Sequence, residues 1–239
     1  MTKLKNKVAY ITGGSQGIGL GIAQSLLDQG MNVAISGRNT DKLEAASKTL
    51  EVAPDRLLTI QSDVRRMEDE QHAVQQVLDK WGQLDVLVAN AGIGNYGNIR
   101  ELTTEQWNQT IDTNLTGVFH TVKAGLDAIL NSEGYIITIA SLAGTNFFAN
   151  GTAYNASKFG LVGFTQALML DVRQAGVKVS TIMPGSVSTY FNNNVPDDSD
   201  AWKIQPEDIG KLVVDLLHMN PRTLPSKIEV RPTKPPVKS

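Results

Sequence analysis

Seven short apolar runs, separated by longer stretches of helical character, fix what this chain can fold into. VAYIT (8–12), NVAISG (32–37), RLLTIQSD (56–63), LDVLVAN (84–90), GYIITIAS (134–141), VKVSTIM (177–183) and SKIEVRP (226–232) each have strand length. Between them lie helical patterns: one from the first glycines through Asp28, then TDKLEAASKTL, which opens on a Thr or Asp cap, then 67–80, 104–130, 151–175 and 206–218. Near-continuous apolar strands alternating with helices predict a parallel sheet covered on both faces. No linker, repeat or low-complexity block interrupts the 239 residues, a length that one such domain uses whole. The expected fold is therefore a single α/β domain over 1–239, a doubly wound parallel sheet of about seven strands. Its last residues, TKPPVKS (233–239), are expected to be loosely ordered.

Composition removes several functions. A formal net charge of −2 offers nothing to a polyanion, so nucleic acid is not an expected partner. With no cysteine there is no disulfide, thiolate nucleophile or zinc–thiolate site, and His72, His120 and His218 are too scattered to ligate together; no metal is expected. No run approaches the ~18–20 apolar residues of a membrane helix, and the start lacks the apolar stretch of a signal peptide. A cytoplasmic protein is the expectation.

The first strand runs into TGGSQGIG (12–19). Gly13, Gly17 and Gly19 enclose Ser15, Gln16 and Ile18 at a strand-to-helix turn. Such glycines let backbone approach a pyrophosphate, and the helix N-terminus offers it free N–H groups; taken alone the segment is a weak signal, with a plain tight turn as the alternative. The second strand ends in Ser36-Gly37-Arg38, without the carboxylate that binds the ribose hydroxyls of NAD. Arg38 either forks onto a 2′-phosphate or is a solvated loop residue. The third strand ends in Asp63-Val64 and the fourth in Asn90-Ala91-Gly92, small or polar groups suited to adenine and backbone contacts. In YNASK (154–158), Tyr154 and Lys158 share one helical face, so a phenol and an ammonium occupy one small volume. An isolated pair of this kind is ordinary surface.

In this order the segments resemble the short-chain dehydrogenase/reductase family over nearly the whole chain. TGGSQGIG is similar to the family's TGxxxGxG loop, and NAG (90–92) to its NNAG segment, with Ala89 in place of the first Asn. The family's catalytic tetrad falls on Asn114 in DTNLTGVF, Ser141 in IASLAG, Tyr154 and Lys158. Pro184-Gly185, with Val187 and Thr189 after it, resembles the loop that holds the nicotinamide carboxamide. The RPTKPPVKS ending departs from the glycine-rich segment of many members.

The resemblance implies a Rossmann domain similar to 3-oxoacyl-ACP reductase-like members. It implies an oxidoreductase that moves a hydride between NADP(H) and a small-molecule carbonyl or secondary alcohol, as a homodimer or homotetramer. NAD(H) is the alternative cofactor, and a catalytically silent cofactor-binding regulator the alternative function. In such a site Lys158 also binds the nicotinamide ribose, and Asn114 positions a water linking Lys158 to solvent; read by itself, Asn114 is a helix-interior residue bonding backbone. The chemistry agrees: a nearby ammonium favours phenolate, and bringing a phenol from about 10 to nearer 7 asks roughly 4 kcal/mol of its neighbours. Ser141 would hold the substrate oxygen as an oxyanion donor. Tyr96, Phe147, Phe148, Tyr190 and Phe191 are candidate walls of a substrate pocket that the short polar segment after Pro184 leaves open.

Overall fold

Residues that are apolar on both sides of a strand need cover on both sides of the sheet, and this requirement shapes the whole chain. The computed structural model describes residues 4–235. Strands β1 (Val8–Thr12), β2 (Asn32–Gly37), β3 (Leu57–Gln61), β4 (Val86–Ala89), β5 (Tyr135–Ile139), β6 (Lys178–Pro184) and β7 (Lys227–Val230) form one sheet in the order β3-β2-β1-β4-β5-β6-β7. Every neighbouring pair is parallel. In β1, Ala9 and Ile11 enter the apolar layer on one face and Val8 and Tyr10 the layer on the other; in β4, Val86 and Val88 oppose Leu87 and Ala89. None of these eight exceeds 3 % exposure.

Helices α1 (Gly17–Asp28), α2 (Thr40–Leu50) and α7 (Pro206–His218) cover the first face, contributing residues such as Leu26, Leu43 and Val213. Helices α3 (Met67–Trp81), α5 (Gly117–Asn131) and α6 (Thr152–Val172) cover the second with Val77, Val122 and Leu161. Fully burying one such side chain contributes about 1.5–3 kcal/mol. Local signals set the boundaries. Asn39, not the expected Thr or Asp, caps α2, accepting from the Lys42 N–H at 2.9 Å. Thr103 and Gln106 close a capping box on α4 (Thr104–Ile111), and Gly82 ends α3 in the left-handed region.

Two expectations are corrected. Strands β3, β4 and β5 stop at Gln61, Ala89 and Ile139, which places Asp63, Asn90 and Ser141 just beyond them, in loops. The helix expected over 104–130 is interrupted: α4 gives way to a π-turn, Asp112–Thr116, before α5. The reason lies in Asn114, a buried residue of that turn. Its side chain pairs with both backbone groups of Ile93 across the fold, accepting at 2.8 Å and donating at 2.9 Å. Of the expected loose tail, residues 236–239 lie outside the described residues.

Beneath the β2–β1 end sits a buried acid, Glu70 on α3. It accepts from Ser62 at 2.6 Å, Thr121 at 2.8 Å and Tyr10 at 3.1 Å, and Tyr10 also bonds Ser36. Burial pushes the Glu70 carboxyl above its ordinary value. One side chain thereby ties β1, the ends of β2 and β3, and helices α3 and α5 together. The opposite, outer surfaces of α5 and α6 expose Phe119, Phe159 and Leu170.

Candidate active site

The chain leaves β1 toward β2 and leaves β4 toward β5, in opposite directions, so a crevice opens between their carboxyl ends. Asn90 bridges it: its Nδ2 donates to the carbonyls of Thr12 at 2.9 Å and Gly13 at 3.1 Å. In return the Thr12 hydroxyl accepts from the backbone of Asn90 and Ala91. The cleft above holds about 1560 Å³, more than a typical drug-sized pocket of about 300–1,000 Å³. Of the residues singled out in the sequence, Ser15, Gln16, Gly17, Ile18, Arg38 and Asp63 line one half, around Gly13 and Val64. Ser141, Tyr154, Lys158, Pro184, Val187 and Thr189, with Gly185 and the Asn90–Gly92 segment, line the other.

Gly19 and Asn114 stand behind the wall instead. A Cβ on Gly19 would come within 2.4 Å of the Gly13 carbonyl, and one on Gly13, whose φ is +65°, within 2.9 Å of the Ala91 Cα. The glycines thus press the loop against β4. Gln16, at the start of α1, makes no side-chain cap, which leaves the first N–H groups of the helix to an anion. Arg38 and Lys42 border the β2 end of the cleft; Lys42 donates to Gln16 Oε1 at 3.1 Å. Asp63, the carboxylate on this wall of the cleft, is taken up by Arg65, whose Nε lies 2.9 and 3.0 Å from its oxygens and holds that carboxyl below its ordinary value. Thr113, buried in the π-turn and on the cleft wall, has a hydroxyl without a protein partner. The uncapped start of α1 beside the close-packed glycines, with Arg38 and Lys42 near it, fits the phosphates of a dinucleotide.

At the other end α6 uses nearly every residue of YNASK. Asn155 donates to the carbonyls of Ala143 and Asn146, both at 2.8 Å, fixing the loop after β5. Ser157 accepts from Asn114 Nδ2 at 3.0 Å and donates to the Tyr154 carbonyl at 2.8 Å. Lys158 donates to the Ile139 carbonyl at 3.0 Å, with its ammonium 5.7 Å from the Tyr154 ring centre. Ser141 Oγ accepts from the Ala143 N–H at 3.1 Å, which leaves its own proton free to point at the Tyr154 hydroxyl.

Burial pushes the Tyr154 phenol up, and the hydroxyls of Ser141 and Tyr96 offset this in part. Burial brings Lys158 itself down to about 8. Both amide donors of Asn114 are committed, to the Ile93 carbonyl and the Ser157 hydroxyl, so its side chain ties the loop after β4 to α6. Tyr96, Phe147, Phe148 and Phe191 are cleft residues as expected, whereas Tyr190 is exposed and not part of the wall. Lys42, Thr113, Trp202 and Arg231 were not anticipated. Lys42 was within reach, four residues after Arg38 at a helix start; Trp202 and Arg231 arrive from distant chain. Among the described residues no cluster of three metal-ligating side chains occurs, and no helix is long and apolar enough to cross a membrane.

Comparison with known proteins agrees with this geometry. The family described as short chain dehydrogenase matches residues 7–200. An uncharacterized oxidoreductase of Staphylococcus saprophyticus is 34 % identical over 234 residues, 97 % of this chain and 100 % of that protein. An alcohol dehydrogenase from the archaeon Thermococcus sibiricus, complexed with 5-hydroxy-NADP, superposes with a TM-score of 0.90 at 28 % identity, covering 98 % of this chain and 100 % of that one. A metagenomic short-chain oxidoreductase in complex with NADP does so with a TM-score of 0.85 at 32 % identity, again over 98 % and 100 %.

The depressed Lys158 has a consequence for stability. Its folded value of about 8 lies below the ordinary 10.5, so between these two the unfolded chain binds more protons and stability rises with pH. Below pH 8 the cost of the buried ammonium is present in full. Urea unfolding of the ligand-free protein should show wild type gaining on Lys158→Met between about pH 8 and 10. Parallel pH dependences for the two proteins would show that the ammonium is not buried as described.

Proposed function

The chain belongs to the short-chain dehydrogenase family, and on that footing we propose an NADP(H)-dependent oxidoreductase acting on a carbonyl or secondary alcohol. The observation that carries this is the convergence of the Ser141 and Tyr154 hydroxyls beside the Lys158 ammonium, on the floor of a cleft with room for a dinucleotide. When bound, the nicotinamide ring gives or takes the hydride. In the reductive direction, Tyr154 transfers its proton to the oxygen of the carbonyl as hydride reaches the carbon. The burial that raises its pKa keeps the phenol protonated for this role at rest. Ser141, its oxygen fixed by the Ala143 N–H, directs its proton at the developing charge. Lys158 sets a positive charge near the phenolate left behind and is placed to hold the cofactor ribose. Asn114 acts through backbone, fixing Ile93 and, through Ser157, the first turns of α6.

Tyr154→Phe keeps the ring and removes only the hydroxyl. Turnover followed by nicotinamide absorbance with a panel of ketones and secondary alcohols should fall at least ~10²-fold, with cofactor binding largely retained. Near-wild-type turnover would remove Tyr154 from the mechanism.

Preference for NADPH over NADH is supported by Arg38 and Lys42 at the β2 end, by the absence of a carboxylate on Ser36-Gly37-Arg38, and by the NADP forms bound in the two similar structures. A charge-assisted contact to a 2′-phosphate contributes about 1.5–3 kcal/mol, about 10- to 150-fold in preference. An aspartate fits at position 37, where a Cβ would lie 3.4 Å from Ser15 Oγ, an ordinary contact. In Gly37→Asp/Arg38→Leu, kcat/KM should therefore swing from NADPH to NADH. Equal use of both by wild type would sink the assignment.

Self-association through the outer faces of α5 and α6 is supported by the exposed Phe119, Phe159 and Leu170. Sedimentation should give a dimer or tetramer, and a monomer at assay and at high concentration would exclude it.

A further inference from the structure

A second tyrosine stands against the first. Tyr96 lies on the loop after β4, and its ring meets that of Tyr154 edge to face, with centres 5.3 Å apart and planes at 80°. Phe148 braces it from the other side at 5.7 Å. The loop is pinned on both flanks of this residue. Asn95 donates to the Thr110 hydroxyl at 3.1 Å and to the Gln106 carbonyl at 3.2 Å, while the Gly97 N–H bonds the Asn150 carbonyl at 2.9 Å. Further upstream, Ile93 is clamped by Asn114. These contacts hold the Tyr96 ring against Tyr154 in the part of the cleft that Ser141 and Lys158 also line.

Resting on the acid–base reading of Tyr154, we propose that Tyr96 is a positioning residue whose hydroxyl donates to the Tyr154 oxygen and holds the phenolate once that proton has gone. Burial raises both phenols; the neighbouring Tyr96 hydroxyl offsets this in part for Tyr154, whereas Tyr154 raises Tyr96 further, so of the two Tyr154 is the one to ionise and Tyr96 the one to donate. In reduction the Tyr154 proton passes to the substrate oxygen, the carbonyl carbon takes the hydride from nicotinamide, and the electron pair of the broken O–H bond stays on the Tyr154 oxygen. Tyr96 keeps its own proton throughout. With Ser141 on another side, the phenolate meets two neutral donors as well as the Lys158 charge, a stronger arrangement than an ammonium 5.7 Å from the ring alone.

Tyr96→Phe tests this, because it retains the ring stack and deletes only the donor. The readout is kcat/KM against pH for oxidation of a secondary alcohol with NADP⁺, where the ionised tyrosine is the base. The rising limb should move up by about one unit in Tyr96→Phe, an approximately tenfold loss below the limb that closes at high pH, with cofactor KM unchanged. Tyrosinate absorbance of the NADP⁺ complex gives a second readout that needs no turnover: the step missing from Tyr154→Phe should also move up in Tyr96→Phe. A pH profile superimposable on wild type, or a uniform loss at every pH, would reduce Tyr96 to a wall and overturn the proposal. Failure of the underlying reading looks different: there Tyr154→Phe itself stays active, whereas an inactive Tyr154→Phe beside an unshifted Tyr96→Phe overturns only the role of Tyr96.

Discussion

The hydrogen bonds exchanged between Asn90 and Thr12 hold open the place on which the rest of the site depends. In a doubly wound sheet the two central strands send their chains apart, and nothing in the strand ladder itself fixes the gap between their ends. Here the Asn90 amide reaches the Thr12 and Gly13 carbonyls, and the Thr12 hydroxyl takes two backbone N–H groups in return. Each such bond contributes only about 0.5–1.5 kcal/mol net, but an orphaned buried partner costs about 1–3 kcal/mol. The pairing thus fixes the glycine loop against β4 with little freedom to drift. Everything that enters the cleft meets walls referenced to this clasp.

Two buried polar assemblies extend that order outward. On the β2 side, Glu70 gathers hydroxyls from Tyr10, Ser62 and Thr121, and through Tyr10 reaches Ser36, so strand ends that border the cleft share one acceptor. On the β5 side, Asn114 joins the Ile93 loop to Ser157, and Asn155 joins α6 to the loop carrying Ser141. Satisfied networks of this kind rigidify, since every member is costly to leave unpaired. The consequence for chemistry is that Ser141, Tyr154 and Lys158, drawn from a loop and a helix, sit on one frame rather than two.

Much of this was legible in the chain because its signals are local. Strand and helix placement follows from runs such as VAYIT and LDVLVAN, whose residues must be buried on both faces, and Ser141, Tyr154 and Lys158, singled out through the resemblance, line one cleft. What escaped was non-local. Strand ends were overrun at Asp63, Asn90 and Ser141, since a polar residue after an apolar run shows no sign of whether the ladder still pairs it. The direction of the Tyr154 shift depends on burial by Tyr96, Phe191 and the surrounding loops, which the i,i+4 spacing of a phenol and an ammonium does not contain. Lys42 borders the cleft only because α2 begins directly after the Arg38 turn. Arg231 joined the cleft only through the placement of β7 at the sheet edge.

The π-turn at Asp112–Thr116 adds a consequence of another sort. Such a turn holds one residue more than the α-helical turn it replaces, and one residue rotates a helix by about 100°. Asn114 meets Ile93 while α5 still buries Val118 and Val122 because the segment has the right number of residues, as well as the right kinds. Scanning by substitution, however exhaustive, varies kind and leaves number alone. A single-residue insertion or deletion between 104 and 131 would swing one helical face of this segment out of register with the other, a change that no substitution reproduces.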